Sequence, residues 1–577
     1  MVDKSVTRMN RRTQTIIQLL LGLAVLLLLN IVANSRMGGR PLYGALDLTE
    51  EKRYTLTDGT KQLLESQEDI IFVRVLLDGE FPAGFKRLQE AAREMLEDFR
   101  SVSPYIEFEF YNPNEGTVDE INQRREQYQQ DGILPVNLRV KGVEGTSTTS
   151  IFPYAIFYKG ERSIIVNILE NEIPGVPSDV VLNNAVALLE YKFANAVQKL
   201  NQSYKDIIAF SSGQGELPPL KTADIEKELR NYYEVGRLEM DSVAVIPQEI
   251  AALIIAKPTQ PFSEKNKFKI DQYVMNGGKV VWLLDRIAVD LDSLQGRPEF
   301  YPKTYDLNVD DLLFRYGVRF NDDLVQDLRC TRIPLATGVV GNAPQFDLFR
   351  YPYHVLALPQ TNHPVVRSLE AVNFLYPSSL DISPRTKTPV DKTILLMSSD
   401  AARYQKLPVG LDFDFLRYDL DPTKFQRDSL VMAVLLEGTF PSMYENRLTE
   451  DNLNVLRSMN VEYKAESVPN AMIVISDGDV AANPVRPDGS VLPLGFNVYE
   501  KYQFSNKDFL INSLEYLLDK GGIIQARGKE VRLRMLNNER AEAEASFWRI
   551  LNIGLPVLVL LLFGFGYYLV RKRKYAA

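Results

Sequence analysis

Residues 206–216 read DIIAFSSGQGE. The apolar run 206–210 ends directly in a turn that carries Gly213 and Gly215. A short apolar run closed by turn residues reads as a strand buried on both faces. Moving forward, 222–233 is a helix, 253–256 (LIIA) a second strand, and 263–275 a helix that stops at Gly277-Gly278, as left-handed C-caps do. Residues 279–284 (KVVWLL) form a third buried strand, terminated by Asp285. Strands alternating with helices predict a parallel sheet covered on both faces, a doubly wound α/β domain over 204–523. Segments 393–397, 430–436 and 471–476 (AMIVIS) continue the sheet, and Asp477-Gly478-Asp479 follows the last. Residues 286–392 are richer in Pro, Tyr and polar residues and read as an insertion. A final helix begins at Ser505, where Ser505-x-x-Asp508 has capping-box spacing, and ends at Gly521-Gly522.

Upstream lies another α/β unit, 57–203. Thr57-Asp58-Gly59 opens a helix to about residue 66, and 69–77 (DIIFVRVLL) is a buried strand. Residues 84–100 place Phe85, Leu88, Ala92, Leu96 and Phe99 on one helical face. Residues 105–111 (YIEFEFY) alternate as a half-buried strand; 151–158 and 163–168 form a hairpin; 179–202 is a long helix. The order βαβ, ββ, α suggests a thioredoxin-like module. It lacks CxxC, so it reads as structural.

Apolar runs mark both ends of the chain. Residues 13–35 and 551–570 carry no charge, and about 20 helical residues cross a bilayer core of about 30 Å. The first run is long for a signal-peptide core and reads as a retained anchor. Lys4, Arg8, Arg11 and Arg12 precede the first span, and Arg571-Lys572-Arg573-Lys574 follow the second. The positive-inside rule puts both termini in the cytoplasm and everything between outside, in the periplasm of an inner-membrane protein. The organisation is then a tail (1–12), a span (13–35), a linker (36–56), the two α/β units, a charged juxtamembrane helix (524–548), a span (549–570) and a tail (571–577). Gln18 and Asn30 lie at membrane depth and are candidate interhelical contacts; tolerance near a helix end is the alternative, better suited to Asn30.

The chain has 577 residues, 45% apolar and 24% charged, with net charge −9. Residues 1–35 carry +3 and 571–577 carry +4, which leaves −16 on 36–570. Lipid is an implied partner; nucleic acid is not, because an acidic exterior repels phosphate. With one cysteine and two histidines, most zinc sites and histidine chemistries are excluded. Cys330 reads as a small buried residue, and both histidines as structural or exposed. Gly277-Gly278-Lys279 lacks the upstream glycine and following helix of a Walker A motif. Nothing in the pattern calls for a cofactor, a metal or a catalytic group. The most site-like segment is the 211–216 turn, with Ser211, Ser212, Gln214 and Glu216, since ligands of doubly wound sheets bind at the carboxyl ends of strands. Asp285, Ser476 and Asp477 end strands of the same sheet and can converge there. The alternative is an ordinary tight turn with a capping carboxylate.

Four segments carry a family resemblance: the N-terminal anchor followed by Tyr54-Thr55-Leu56-Thr57, SSGQGELPPL at 211–220, LLFRYGVRFNDDLVQD at 312–327, and SNKDFLINSLEYLLDKGGIIQARGKEVRLRML at 505–536. In this order the chain resembles the gliding-motility-associated ABC transporter auxiliary proteins of Bacteroidota, the GldG family. Relatives often have Gly-His-Gly-Glu where this chain has Gly213-Gln214-Gly215-Glu216. The resemblance implies an auxiliary or substrate-binding component that works with a separate ATPase and a separate permease. It also implies a flavodoxin-like main domain, similar to glutamine amidotransferases but without their triad. The expectation is a non-catalytic subunit that packs on the permease, binds a periplasmic partner or cargo, and transmits motion through the 526–547 helix. A tethered receptor for a small solute is the alternative, and a hydrolase or amidotransferase acting at the 211–216 turn a further one.

Overall fold

The computed structural model describes residues 55–528 and 544–575, apart from 80, 143–144, 170–177, 203, 295, 341–342, 368, 419, 427–428 and 459–461, together with parts of 16–28 and 36–41. Met1–Lys529 and Glu530–Ala577 are separate units.

In the first unit, α1 (Asp58–Glu65) starts where the Thr57 side chain accepts from the Thr60 amide. Strand β1 (Ile71–Val75) is followed by α2 (Ala83–Val102), which buries Phe85, Leu88, Ala92, Leu96 and Phe99, the face its spacing predicts. Strand β2 (Ile106–Phe110) pairs parallel to β1. Helix α3 (Val118–Gln130) and the hairpin of β3 (Val136–Gly142) and β4 (Gly145–Ile151) come next. The sequence pattern missed α3 because it buries none of its side chains; a Thr117–Glu120 capping box holds its start. Strands β5 (Tyr154–Lys159) and β6 (Arg162–Asn167) add antiparallel, giving the order β2-β1-β5-β6. The predicted hairpin strand 151–158 is therefore divided, with Ile151 ending β4. Helix α4 (Ser178–Asn201) covers the sheet, with Phe193 against Phe99 and Phe157.

The second sheet is larger. Its parallel strands are β7 (Ile207–Ser212), β8 (Glu234–Glu239), β9 (Ile250–Ala256), β10 (Lys279–Leu283) and a later strand, Asn470–Ile475. Helices α5 (Ala223–Arg230) and α6 (Glu264–Met275) connect the early ones, and the Ser263 side chain caps α6. Strand β8 (EVGRLE) has no apolar run because it lies at the sheet edge. After it come β11 (Cys330–Val340), β12 (Ala343–Pro359), β13 (Val390–Met397), β14 (Val431–Gly438) and β15 (Asn470–Ile475). The order is β8-β7-β9-β10-β15-β14-β13-β12-β11, antiparallel from β15 onward. The sheet is thus mixed, where the alternation of elements predicts a parallel one. Among the described residues, the links from β12 through β13 to β14 contain no helix of crossover length, and antiparallel neighbours need none.

Helix α7 (Asn506–Leu518) lies on this sheet with Phe509, Leu510, Leu514 and Leu517 buried. The expected Ser505 capping box does not form. Ser505 makes no side-chain cap bond; its Oγ accepts from the Glu370 amide at 3.2 Å, so a tertiary partner displaces the local one. Residues 523–526 then return to the core of the first module.

Gly277 ends α6 at φ 95°. At Gly278 a Cβ would stand 2.3 Å from the ring of Tyr273, whose hydroxyl donates to the Ile250 carbonyl at 2.9 Å. Gly278→Ala is expected to cost about 1–3 kcal/mol through overpacking. Urea unfolding followed by the fluorescence of buried Trp282 checks it; an unchanged midpoint would contradict the steric account.

In the second unit, α8 (Ala545–Tyr575) contains Pro556. Within it, Ala545–Lys574 is the one helix among the described residues long and apolar enough to cross a membrane. The described residues of 16–28 are helical. Gln18, Asn30 and residues 529–543 of the expected juxtamembrane helix lie outside the described residues.

Candidate functional site

The chain leaves β7 toward β8 on one side and later enters β9 on the other. Connections therefore diverge between β7 and β9, where open α/β sheets leave a crevice beyond the strand ends. The 211–216 turn stands at that point, but it is braced on itself. Gln214 N donates to Glu216 Oε2 at 2.7 Å, and the Gln214 carbonyl accepts from the amides of Thr259 and Gln260 at 2.9 Å each. Ser212 Oγ donates to Glu239 Oε2 at 3.2 Å. Gly213 holds φ 110°, a left-handed backbone conformation that favours glycine. Ser211 Oγ, Gln214 Oε1, Glu216 Oε1 and Ser476 Oγ are buried without a hydrogen-bond partner among the described residues.

The strongest electrostatic feature lies beside this turn. Lys257, the first charge after the apolar run of β9, holds φ 54°, a strained conformation for a residue with a side chain. Its Nζ reaches Asp479 Oδ2 at 2.5 Å and Asp285 Oδ2 at 3.2 Å. Asp285 Oδ1 accepts from the Gly478 amide at 2.6 Å. Asp477 accepts from the amides of Asp479 at 2.7 Å and Leu375 at 2.5 Å. Burial alone would lower the Lys257 pKa, but the three aspartates raise it above the usual lysine range. Burial raises the Asp285 carboxyl, with Lys257 opposing. Burial and the neighbouring carboxylates push Asp477 well above the usual range. Carboxylate oxygens of the three aspartates lie within 4.8 Å of one another, a spacing that suits a metal ion. The Lys257 ammonium already bridges two of them, so the chain supplies its own cation.

A cavity of about 770 Å³ opens in front of this cluster. Lys257 and Asp479 form part of its wall, with Leu217, Pro218 and Lys221 from the chain after β7. Residues 333–336 of β11 and Phe346 of β12 supply the facing hairpin, which carries a bulge between Ala336 and Gly338. His354 and Tyr376 are also part of the wall, and Tyr376 too has a left-handed φ, 54°. The His354 imidazole lies edge-on to the rings of Tyr351 at 4.9 Å and Tyr376 at 5.2 Å. Burial lowers its pKa to about 3, so it is neutral, and Nε2 has no partner among the described residues.

The structure therefore brings Asp285 and Asp477 together and sets them just behind the cavity. Ser211, Ser212, Gln214, Glu216 and Ser476 do not line it. Sequence reasoning missed Lys257, His354 and Tyr376. Only Lys257 left a signal, as a charge closing a buried strand. His363 takes a local role, its Nδ1 accepting from the Val365 amide at 3.3 Å. Cys330 is half-buried rather than part of the core, although burial still pushes its thiol up to about 12.

Comparison with known proteins adds an identity. Residues 205–513 match the family described as an ABC-type uncharacterized transport system, and 50–158 match a domain of unknown function, DUF7088. An uncharacterized protein of Borreliella burgdorferi is 21% identical over 552 residues, covering 92% of this chain and 93% of its own. The solved mmIFT52 N-terminal domain is 13% identical, with 54% of this chain and 96% of that one covered, at a TM-score of 0.29, too low to argue from. The first match spans just over half of the chain, and on it this protein belongs to the auxiliary-component family of ABC-type transport systems.

Proposed function

We propose that the chain is a non-catalytic, membrane-anchored subunit of an ABC transporter. It packs on a separate permease, works with a separate cytoplasmic ATPase and presents its α/β modules to the periplasm. The observation that carries this reading is α8, an exposed apolar helix ending in Arg571–Lys574, in a chain whose body matches the auxiliary family and lacks a Walker A motif. Basic residues stay on the cytoplasmic side, which sets the start of α8 outside. With a second span at 13–35, both termini are cytoplasmic. The named segments of the resemblance favour a role in gliding motility and its secretion machinery. The parallel order β8-β7-β9-β10-β15 supports a flavodoxin-like core, and the order β2-β1-β5-β6 a thioredoxin-like module.

Mild-detergent purification of the tagged chain from its native host, with mass spectrometry of the co-purifying proteins, is expected to return an ATPase and a permease in fixed ratio. The chain arriving alone would overturn the assembly. A second reading, a tethered solute receptor, is favoured by the cavity at the strand ends, whose volume is that of small-molecule sites.

A further inference from the structure

We infer that a second cavity, at the other end of the large sheet's strands, binds a small organic dianion through Arg385 and Arg447. It goes beyond the subunit and receptor readings and depends on neither. The cavity measures about 530 Å³, within the range of small-molecule sites. It shares no lining residue with the cavity in front of Lys257. Its walls are the helix Asp310–Tyr316, the segment that leads into β13 and the segment that leaves β14. Val390 of β13 pairs with Gly438 of β14, and Gly438 with Asn470 at the start of β15. The cavity therefore stands by the amino ends of the parallel strands, whereas Lys257 follows a carboxyl end.

Charge pairing selects the ligand. Every carboxylate in the wall is already held. Asp310 accepts from Arg286 at 2.9 Å and Asp311 from Lys267 at 2.8 Å. Glu445 accepts from Arg315 at 2.6 Å and from Lys387. Arg319, also in the wall, pairs with Asp381 at 2.6 Å. Arg385 and Arg447 remain: both are exposed, and neither side chain has a partner among the described residues. With all these partners counted, and Asp322 and Glu264 on Arg286 and Lys267, seven cations face six carboxylates. Exposed arginines are ordinarily just solvated, but these two share one cavity and sit on segments that are pinned. Asp271, buried on α6, accepts from Ser442 Oγ at 2.7 Å and the Met443 amide at 2.9 Å. The Arg447 amide donates to the Tyr444 carbonyl at 3.0 Å, closing a turn through Asn446 at φ 62°. Lys392 Nζ donates to the carbonyls of Gly317 at 2.6 Å, Ile382 at 2.8 Å and Pro384, which ties the segment before Arg385 to the end of the helix. A preordered site loses less entropy on binding. A guanidinium offers a planar fork of N–H donors that matches a carboxylate or a phosphate. Two uncommitted forks fit a doubly charged ligand, and Phe314, 50% exposed in the same wall, offers an apolar face to its organic part.

The test uses the full-length protein in detergent micelles at pH 8, in a buffer without phosphate or carboxylate. The probes share one benzene ring and differ in charge: phenyl phosphate, phthalate, benzoate and benzylamine. Calorimetric titration is expected to show saturable binding of a dianion, tighter than benzoate by about tenfold or more, roughly 1.4 kcal/mol, and no binding of benzylamine. Phenyl phosphate leading assigns a phosphate monoester, and phthalate leading a dicarboxylate. Arg385→Gln with Arg447→Gln is expected to weaken the leading dianion about tenfold or more with Tm unchanged, since both side chains are exposed and unpaired. Lys86→Gln with Lys227→Gln removes the same charge from exposed positions elsewhere and should leave the affinity unchanged. If benzoate binds as tightly as both dianions, the dianion class is wrong. If neither dianion binds, if the arginine pair can be replaced without effect, or if the lysine pair matters as much, the site is overturned.

Discussion

Lys257→Met is expected to destabilise the large α/β domain by about 3–5 kcal/mol. The side chains of Lys257, Asp285 and Asp479 are 17%, 8% and 17% exposed, and Asp477 is fully buried. Removing the ammonium leaves clustered carboxylates in a poorly solvated site with no cation, and breaking a buried pair costs far more than the pair contributes. The sign of the pH dependence follows. Burial already raises Asp285 and Asp477, and loss of Lys257 raises them further. Between the ordinary carboxyl value of about 3.9 and the raised folded values, the folded variant holds protons that the unfolded chain has released. Its stability therefore falls as pH rises through that window. Urea midpoints at pH 5 and pH 8 should show the larger deficit at pH 8. An equal deficit at both would mean that side-chain packing, not charge, is what the substitution removes.

Glu515→Leu is expected to cost a similar amount, about 3–5 kcal/mol, by cutting the polar contact between the two modules. Glu515 on α7 accepts from Lys199 Nζ of α4 at 2.8 Å, from Asn195 Nδ2 at 2.9 Å and from the Tyr191 hydroxyl. The side chains of Lys199 and Glu515 are 9% and 10% exposed, and the Lys199 ammonium stands 3.7 Å from the centre of the Tyr232 ring. Burial would raise the Glu515 pKa, but Lys199, Tyr191 and Arg527 hold it below the usual range. A lowered acid stabilises fully above its unfolded value of about 4.3, and that contribution is lost as pH falls through the folded value. Lys199→Met combined with Glu515→Leu should recover most of the loss, because no charge is then left buried alone. Additive losses in that double variant, measured by urea unfolding, would argue that the two side chains act separately.

Much of the fold is legible in the sequence wherever burial is local. The helical face of α2 can be named residue by residue, because a single stripe packs on a single sheet. Strands β7, β9 and β10 stand out as apolar runs, since both of their faces are covered. Elements that bury little leave a weaker trace: α3 and the edge strand β8 have no such stripe or run. The Ser505 cap shows the converse case. Its motif is present, yet the Glu370 amide takes the hydroxyl, so a local signal yields to a tertiary partner.

The candidate site divides along the same line. Composition and periodicity are enough to read an α/β chain with an acidic body, apolar ends and turn residues that close its buried strands, because they record what each residue faces. Asp285 and Asp477 could be picked out at those strand ends. The meeting of Lys257 with Asp285 and with Asp479, 222 residues further along the chain, and the placing of His354 on the same cavity come from the tertiary structure. It also decided that the 211–216 turn folds back on itself. Those meetings depend on strand order and register across the sheet, and no local pattern carries that information.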